Sequence, residues 1–368
     1  MAEHQTSDGN INTEAFTGKI AVITDAASVN KDDYYSADYL LAKYGAGKII
    51  HATWPENFLA EQDNMVKTVT TMAADPEIKA LILNQAVEGS NAAVDKLKET
   101  RDDIFIVYCN TNEDYPTVAP RVNLLLRLNE AGMGQAMVKQ AKKQGAKVFV
   151  HYAFPRHMSI TTLNNRRNMI KKTCETEGLL FVDAEALDPT DEAGLAAAQQ
   201  FILEDVPKLV AKYGEDTAFF SSNCHLQAPL IRAIVDNHAI FPQPCCPSPY
   251  HGFPEALGIE MGKDQSDLHY VISEACRIAE EKNMTDRLST WPVSSAMMFT
   301  TAGGEYAIKW IRDEVPKTGI DNRVLMDCMN DYIEEAVGEA SNVYMFSYTQ
   351  DGITYDNLKL VMMSYLDF

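Results

Sequence analysis

The sequence predicts an α/β fold of two lobes, each a parallel, doubly wound sheet, and three observations carry that reading. The chain has 368 residues, whereas a single hydrophobic core stops growing at roughly 250–300 residues. Short β-branched runs alternate with helical patterns of a dozen or more residues along most of its length, as βαβ units do. Crossovers between parallel strands are right-handed, so consecutive units wind into one sheet.

The elements follow in order. After a polar leader over residues 1–18, strands are expected at Lys19–Thr24, Lys48–Thr53, Ala80–Leu83, Ile104–Cys109 and Val122–Leu128, all rich in Ile, Val and Leu. The intervening helices, Asp32–Tyr44, Asn57–Ala73 and Asn91–Thr100, each begin on Asp or Asn, whose side chains accept hydrogen bonds from the free N–H groups of a first turn. The second lobe repeats the grammar with helix Gly134–Gln144, strand Lys147–His151, helix Thr161–Glu177, strand Leu179–Val182, helix Leu195–Tyr213, strand Ala218–Ser221, helix Gln227–Asp236 and strand Ala239–Phe241. The rhythm breaks at PQPCCPSPYHGFPEALG, a loop too long and too proline-rich to be a plain connector. Helix Asp267–Lys282 follows, and the segment around Trp291–Ser294 returns the chain to the first lobe. Helices Gly304–Val315 and Asn322–Val337 complete that lobe, and two short strands flank a turn at Gln350–Gly352. The expected division is a leader at 1–18, a first lobe at 19–128 plus 292–368, and a second lobe at 129–291.

Composition narrows the function. An apolar content of 46%, with 9% aromatic residues, supplies ample core and excludes disorder over most of the chain. A formal net charge of -20 repels phosphate backbones, and nonspecific nucleic-acid binding depends on Lys and Arg displacing counterions. Nucleic acid is therefore not an expected partner. No stretch approaches the roughly 20 apolar residues that span a bilayer. The leader MAEHQTSDGNINTEAFT lacks the basic start and apolar middle of a signal peptide. The seven cysteines, at 109, 174, 224, 245, 246, 276 and 328, include no CxxC pair, and an odd number does not close a disulfide framework; they read as reduced and mostly buried.

The strings KIAVITDAASVNKDDYYSADYLLAKYG, DPEIKALILNQAVEG, GAKVFVHYAFPRHMS, EDTAFFSSNCHLQAPLI and FPQPCCPSPYHGFP resemble an uncharacterised bacterial family, a domain of unknown function often carried as lipoproteins. That family is of the type 1 periplasmic-binding-protein-like class. The resemblance runs from about Lys19 to near the C-terminus and implies two Rossmann-like lobes with a ligand in the cleft between them. It also implies an extracytoplasmic location, whereas the missing signal peptide and lipobox cysteine point to the cytoplasm, so the compartment stays open.

In open α/β sheets, ligands bind beyond the carboxyl ends of the strands. That rule selects Thr24, Asp25 and Ser28 after the first strand, Asn84 and Gln85 after the third, and Asn110, Thr111 and Asn112 after the fourth. In the second lobe it selects Tyr152, Phe154, Arg156, His157, Ser222, Asn223 and His225. The same residue types are also ordinary turn and cap formers. Arg156 invites an anionic ligand group because its planar fork matches a carboxylate, unless it pairs with an acidic neighbour. Arg166 and Arg167 read as solvated helix charges. In the loop Pro242–Pro254, Tyr250 and His251 are expected to face the ligand.

Other chemistries fit less well. Cys245 and Cys246 with Cys224, His225, His157 or His251 match none of the usual zinc spacings, so neither a metal nor another cofactor is expected. Gly132 and Gly134 precede a helix, but Met137 stands where a dinucleotide fingerprint needs its third Gly or Ala. No GxSxG elbow occurs, and too few residues precede the first strand for a helix-turn-helix. The leading expectation is a protein that binds or senses a small polar, possibly anionic solute without transforming it, working with a membrane-transport or signalling partner. The alternative is an enzyme using His151, His157 or His251 as acid or base, with Cys224 as nucleophile.

Overall fold

A computed structural model of the chain describes residues 16–28, 30–111, 113–191, 194–261, 267–338 and 341–368. Its strands are β1 (Lys19–Thr24), β2 (Ile49–Thr53), β3 (Ile78–Asn84), β4 (Phe105–Cys109), β5 (Leu124–Leu128), β6 (Val148–Ala153), β7 (Leu180–Glu185), β8 (Thr217–Ser221), β9 (Ser289–Thr290), β10 (Val343–Gln350), β11 (Ile353–Met363) and β12 (Leu366–Asp367). The chain divides into two compact units. Unit 1 comprises the residues up to Leu128 with Ala296–Val361, and unit 2 comprises Asn129–Ser295 with Met362–Phe368.

Unit 1 is a seven-stranded sheet in the order β10-β11-β5-β4-β3-β1-β2. β1 runs parallel to β2 and β3, β4 lies parallel between β3 and β5, and β11 is parallel to β5. Ala21, Ile23, Leu81, Leu83, Ile106 and Tyr108 form one buried cluster with Met65, Val69, Val94 and Leu97 from helices Gln62–Ala73 and Ser90–Lys98. The other face is also buried, through Ile20, Val22, Ile82 and Val107. Cover on both faces is why these strands read as continuous apolar runs without alternation. Helix Ser295–Ile311 covers the second face at Gly303 and Gly304. A Cβ at Gly303 would stand 3.0 Å from Val107 Cγ1, and one at Gly304 would stand 2.5 Å from Leu40 Cδ1. The glycine pair permits close packing, so the helix begins well before the expected Gly304. The helix expected over Asp32–Tyr44 is two pieces, Lys31–Tyr35 and Asp38–Tyr44. Between them, the Ser36 hydroxyl donates to the Asp33 carbonyl and competes with the helical ladder.

Unit 2 centres on three parallel strands in the order β7-β6-β8, with Tyr152 opposite Ala184 on one side and Ser221 on the other. Val148, Val150 and Tyr152 pack on helices Gly194–Tyr213 and Gln227–Asp236, while Phe149 and Phe220 join Met137, Ile170 and Cys174 in a separate cluster. Alternate residues of β6 thus enter different cores, as the period of two requires. The strand expected at Ala239–Phe241 is reduced to single bridges, Ile240 to Ala218 and Phe241 to Leu288. Two-residue strands β9 and β12 pair antiparallel, Ser289 with Asp367 and Thr290 with Leu366.

Candidate functional site

The carboxyl ends of β7, β6 and β8 lie side by side in unit 2, so the residues that follow them share one edge. Beyond β6, Arg156 makes a two-pronged ion pair with Asp188, which follows β7, at 2.7 and 2.9 Å. Arg156 holds the Asp188 carboxyl well below the usual range, and Thr190 adds two hydrogen bonds to the same oxygen. This corrects the picture of an arginine waiting for an anionic ligand: its fork is already filled. His157 Nδ1 lies 3.0 Å from Ser222 Oγ, which joins the ends of β6 and β8. Burial, and then the adjacent Arg156, lower the His157 pKa and favour the neutral ring.

The turn after β8 is built from its own polar groups. The Asn223 carboxamide accepts from the His225 N–H at 2.9 Å, and Gln227 donates to the carbonyls of Ser221 and Asn223. Asn223 is therefore spent as a cap, while Cys224 and His225 are exposed. Tyr152 and Phe154 are corrected from ligand contacts to interior residues. Tyr152 has no exposed surface, stacks on Phe219 and donates its hydroxyl to Asp205 at 2.9 Å; Phe154 packs against the His157 ring. Arg166 is also corrected: it is buried, pairs with Glu130 at 2.8 Å and lies over the Phe220 ring. Arg167 pairs with Asp183. His151 is interior as well, and burial lowers its pKa.

The proline-cysteine loop closes onto the end of β8. Cys224 Sγ lies 3.3 Å from Cys245 Sγ and 3.9 Å from Cys246 Sγ, the two adjacent sulfurs are 3.9 Å apart, and His251 Nε2 lies 3.5 Å from Cys245 Sγ. The donor atoms of Cys224, Cys245 and His251 all fall within 4.8 Å of one another. Close approach to helix Gln227–Asp236 sets the loop's path. Gly252 has φ +84, and a Cβ there would meet Gln227 Cβ at 2.9 Å. The backbone N–H groups of Tyr250 and His251 are held by Ser248. Tyr250 and His251 are half-buried. Cys245 and Cys246 lower the Cys224 thiol well below its ordinary range, with Arg166 assisting, while Cys224 pushes the Cys245 thiol up. These three donors are close enough together to hold one metal ion, a convergence that the sequence spacing did not suggest. Spacing rules describe ligands from one local loop, and here a strand end and a loop about twenty residues on converge.

In unit 1, three of the expected site residues have no exposed surface and tie elements together. Thr24 meets His51 Nε2 at 2.8 Å; Asn84 Nδ2 lies 2.9 Å from Ser36 Oγ and 2.7 Å from Thr300 Oγ1; Thr111 donates to the Ala86 carbonyl. Ser28 is exposed and donates to Glu56. Asn112 lies outside the described residues. The remaining strand ends differ in character. Gln85 and Asn110, at the ends of neighbours β3 and β4, have left-handed backbones with φ of 48 and 52. Such strain persists in non-glycine residues where surrounding structure enforces it, often at ligand sites. Asn110 Oδ1 is buried and has no hydrogen-bond partner among the described residues. Asp25 is half-buried after β1, and burial raises its carboxyl to about 6.

The doubly wound α/β units have the type 1 periplasmic-binding-protein-like fold. The chain belongs to the family described as "Protein of unknown function (DUF3798)", whose model matches residues 18–289. An uncharacterized protein of Treponema pallidum (strain Nichols) is 32% identical over 176 residues, covering 46% of this chain and 80% of the relative. Among solved structures, a candidate transcriptional regulator from Clostridium difficile 630 superposes with a TM-score of 0.86 at 23% identity, over 96% of this chain and 99% of that one. A sugar ABC transporter protein from Actinomyces odontolyticus ATCC 17982 gives 0.55 at 8% identity, covering 85% and 88%. A substrate-binding protein of a sugar ABC transport system from Bordetella parapertussis 12822 gives 0.53 at 12% identity, covering 95% and 89%. At these identities the structural likenesses establish the fold.

Proposed function

We propose that this protein binds a small, uncharged polar solute at the carboxyl ends of its strands and releases it unchanged to a membrane-transport or signalling partner. The observation that carries the reading is Asn110, a buried amide whose acceptor has no partner among the described residues, on a left-handed backbone next to Gln85 in the same conformation. A buried unpaired acceptor costs stability unless a ligand or water fills it. Gln85 adds a neutral hydrogen-bonding side chain at the neighbouring strand end of unit 1, and within unit 2 the pairing of Arg156 with Asp188 weakens the case for an anion. The sugar-transport descriptions of two structural neighbours put sugars first among compounds to try. The fold's setting in such neighbours favours a role outside the cytoplasm. Among the described residues, no helix is long and apolar enough to cross a membrane.

The test is thermal unfolding against sugars, polyols, nucleosides, amino acids and carboxylates. A ligand at about 100 times its Kd stabilises the native state by about 2.7 kcal/mol, which raises the midpoint by roughly 5–10 °C. The expected result is such a rise with one neutral class, reduced in Asn110→Ala and retained in Arg156→Ala. No rise with any compound, or a rise untouched by Asn110→Ala, removes the reading. A second reading, an enzyme with Cys224 as nucleophile, draws on the exposure of that thiol and its lowered pKa. It requires rapid alkylation of native Cys224, and labelling only in denaturant ends it.

A further inference from the structure

We propose that Cys224, Cys245 and His251, flanked by Cys246, form a mononuclear site for a borderline or soft metal cation, with Zn2+ the best geometric fit. A tetrahedral zinc ion with Zn–S near 2.3 Å and Zn–N near 2.0–2.1 Å separates its ligand sulfurs by about 3.8 Å and a sulfur from a nitrogen by about 3.5 Å. The three sulfur pairs here stand 3.3, 3.9 and 3.9 Å apart, and Cys245 Sγ lies 3.5 Å from His251 Nε2. The Cys224–Cys245 and Cys245–His251 separations agree with one coordination sphere to within about half an ångström, and Cys246 Sγ flanks both sulfurs without joining the three donors that all lie within 4.8 Å of one another.

Other readings of the cluster fit less well. A disulfide needs sulfurs about 2.05 Å apart, and all three pairs are well beyond that. Iron-sulfur clusters hold several irons between their thiolates, so their ligand sulfurs stand farther apart than these do. Thiolate and imidazole donors also discriminate against Mg2+ and Ca2+, which take oxygen ligands.

The chain holds these donors in place. Pro242, Pro244, Pro247 and Pro249 restrict the loop backbone on both sides of Cys245 and Cys246. Gly252 seats the following turn against Gln227, which itself donates to the carbonyls of Ser221 and Asn223 just ahead of Cys224. Both ligand segments are thereby referred to one helix. Cys245 is buried among Phe149, Phe220 and Ile240, whereas Cys224 and Cys246 are exposed, so an ion has a way in from solvent.

The experiment uses the full chain, reduced and then freed of reductant without oxygen, with Co2+ as the spectroscopic probe and Zn2+ as competitor. One equivalent of Co2+ is expected to produce thiolate-to-metal charge-transfer absorption and tetrahedral d–d bands, both bleached by one equivalent of Zn2+. Cys224→Ser and His251→Gln are expected to weaken Zn2+ binding by at least about 100-fold, a loss of the size seen when a metal shell is disturbed. Cys276→Ser, a thiol elsewhere in unit 2, is expected to leave it unchanged. Circular dichroism of each metal-free variant verifies folding, and because buried Cys245→Ser is the substitution most damaging to the core, the two variants at less buried positions carry the result. Uptake below one equivalent with all thiols reduced, or the same bands in the Cys224→Ser and His251→Gln proteins, overturns the site. So does a Cys224–Cys245 disulfide in the isolated protein whose reduction restores no metal binding.

Discussion

Asp25→Asn is expected to stabilise unit 1 at neutral pH and to do nothing in acid. The Asp25 carboxyl is half-buried beyond β1, and burial alone raises it from 3.8 to about 6. At about 1.4 kcal/mol per pH unit, a displacement of that size is worth about 3 kcal/mol at full strength. Solvent reaches part of the group, so screening leaves about 1–2 kcal/mol. The sign follows from linkage: below about pH 4 the group is protonated in both folded and unfolded chains, so it carries no penalty. As pH rises, the unfolded chain ionises first and the native state resists until about 6. Stability drains away across that window and the loss is constant above it. Asparagine keeps the shape and removes the charge. Urea unfolding at pH 4, 5 and 7.5 measures the difference through tryptophan fluorescence, because two of the three tryptophans, Trp54 and Trp310, belong to unit 1. An advantage for the variant that is equal at pH 4 and 7.5, or absent at both, refutes the reasoning.

Arg166→Ala should destabilise unit 2 by about 3–5 kcal/mol, because it strands Glu130 beside a cavity under Phe220; denaturant unfolding followed at Trp291 measures it. Tyr152→Phe removes only the donation to Asp205 and should cost about 1 kcal/mol in the same assay. Gly304→Ala forces a methyl group against Leu40 and should lower unit 1 stability by about 1–3 kcal/mol, seen as a reduced thermal midpoint.

Much of the framework was legible because strands buried on both faces leave unbroken apolar runs. Lys19–Thr24, Thr161–Glu177, Gln227–Asp236 and Asn322–Val337 occupy the expected spans. Other segments were misread where tertiary packing overrode a local rule. Gly303 and Gly304 looked like a helix boundary and instead sit mid-helix, since only glycine lets that helix approach Val107 and Leu40. β9 and β12 have two residues each and no periodicity to detect. For the candidate site, the strand-end rule picked out residues that do lie at strand ends but could not say which side chains point inward. Tyr152 and Phe154 continue the inward alternation of β6, a signal that was available, whereas Asn84 is fixed by partners as distant as Thr300. The cysteine cluster was visible as composition and hidden as geometry, because its ligands meet only once β8 and the proline loop are folded.

The position of residues 362–368 has a consequence for how the chain is made. A ribosome delivers segments in order, and domains usually fold as they emerge. Here β5 waits for β11 as its parallel neighbour, more than two hundred residues later. The interior of unit 2 waits longer still, for Phe368, which packs on Phe253 with ring centroids 4.8 Å apart and whose backbone carbonyl accepts from Asp286. Neither unit can close as it leaves the exit tunnel, so β5 and the core around Phe253 are left uncovered during synthesis. A nascent chain stalled after Phe253 but before β11 leaves β5 and the core around Phe253 uncovered at once, and it is at this stage that chaperone capture and aggregation compete with folding.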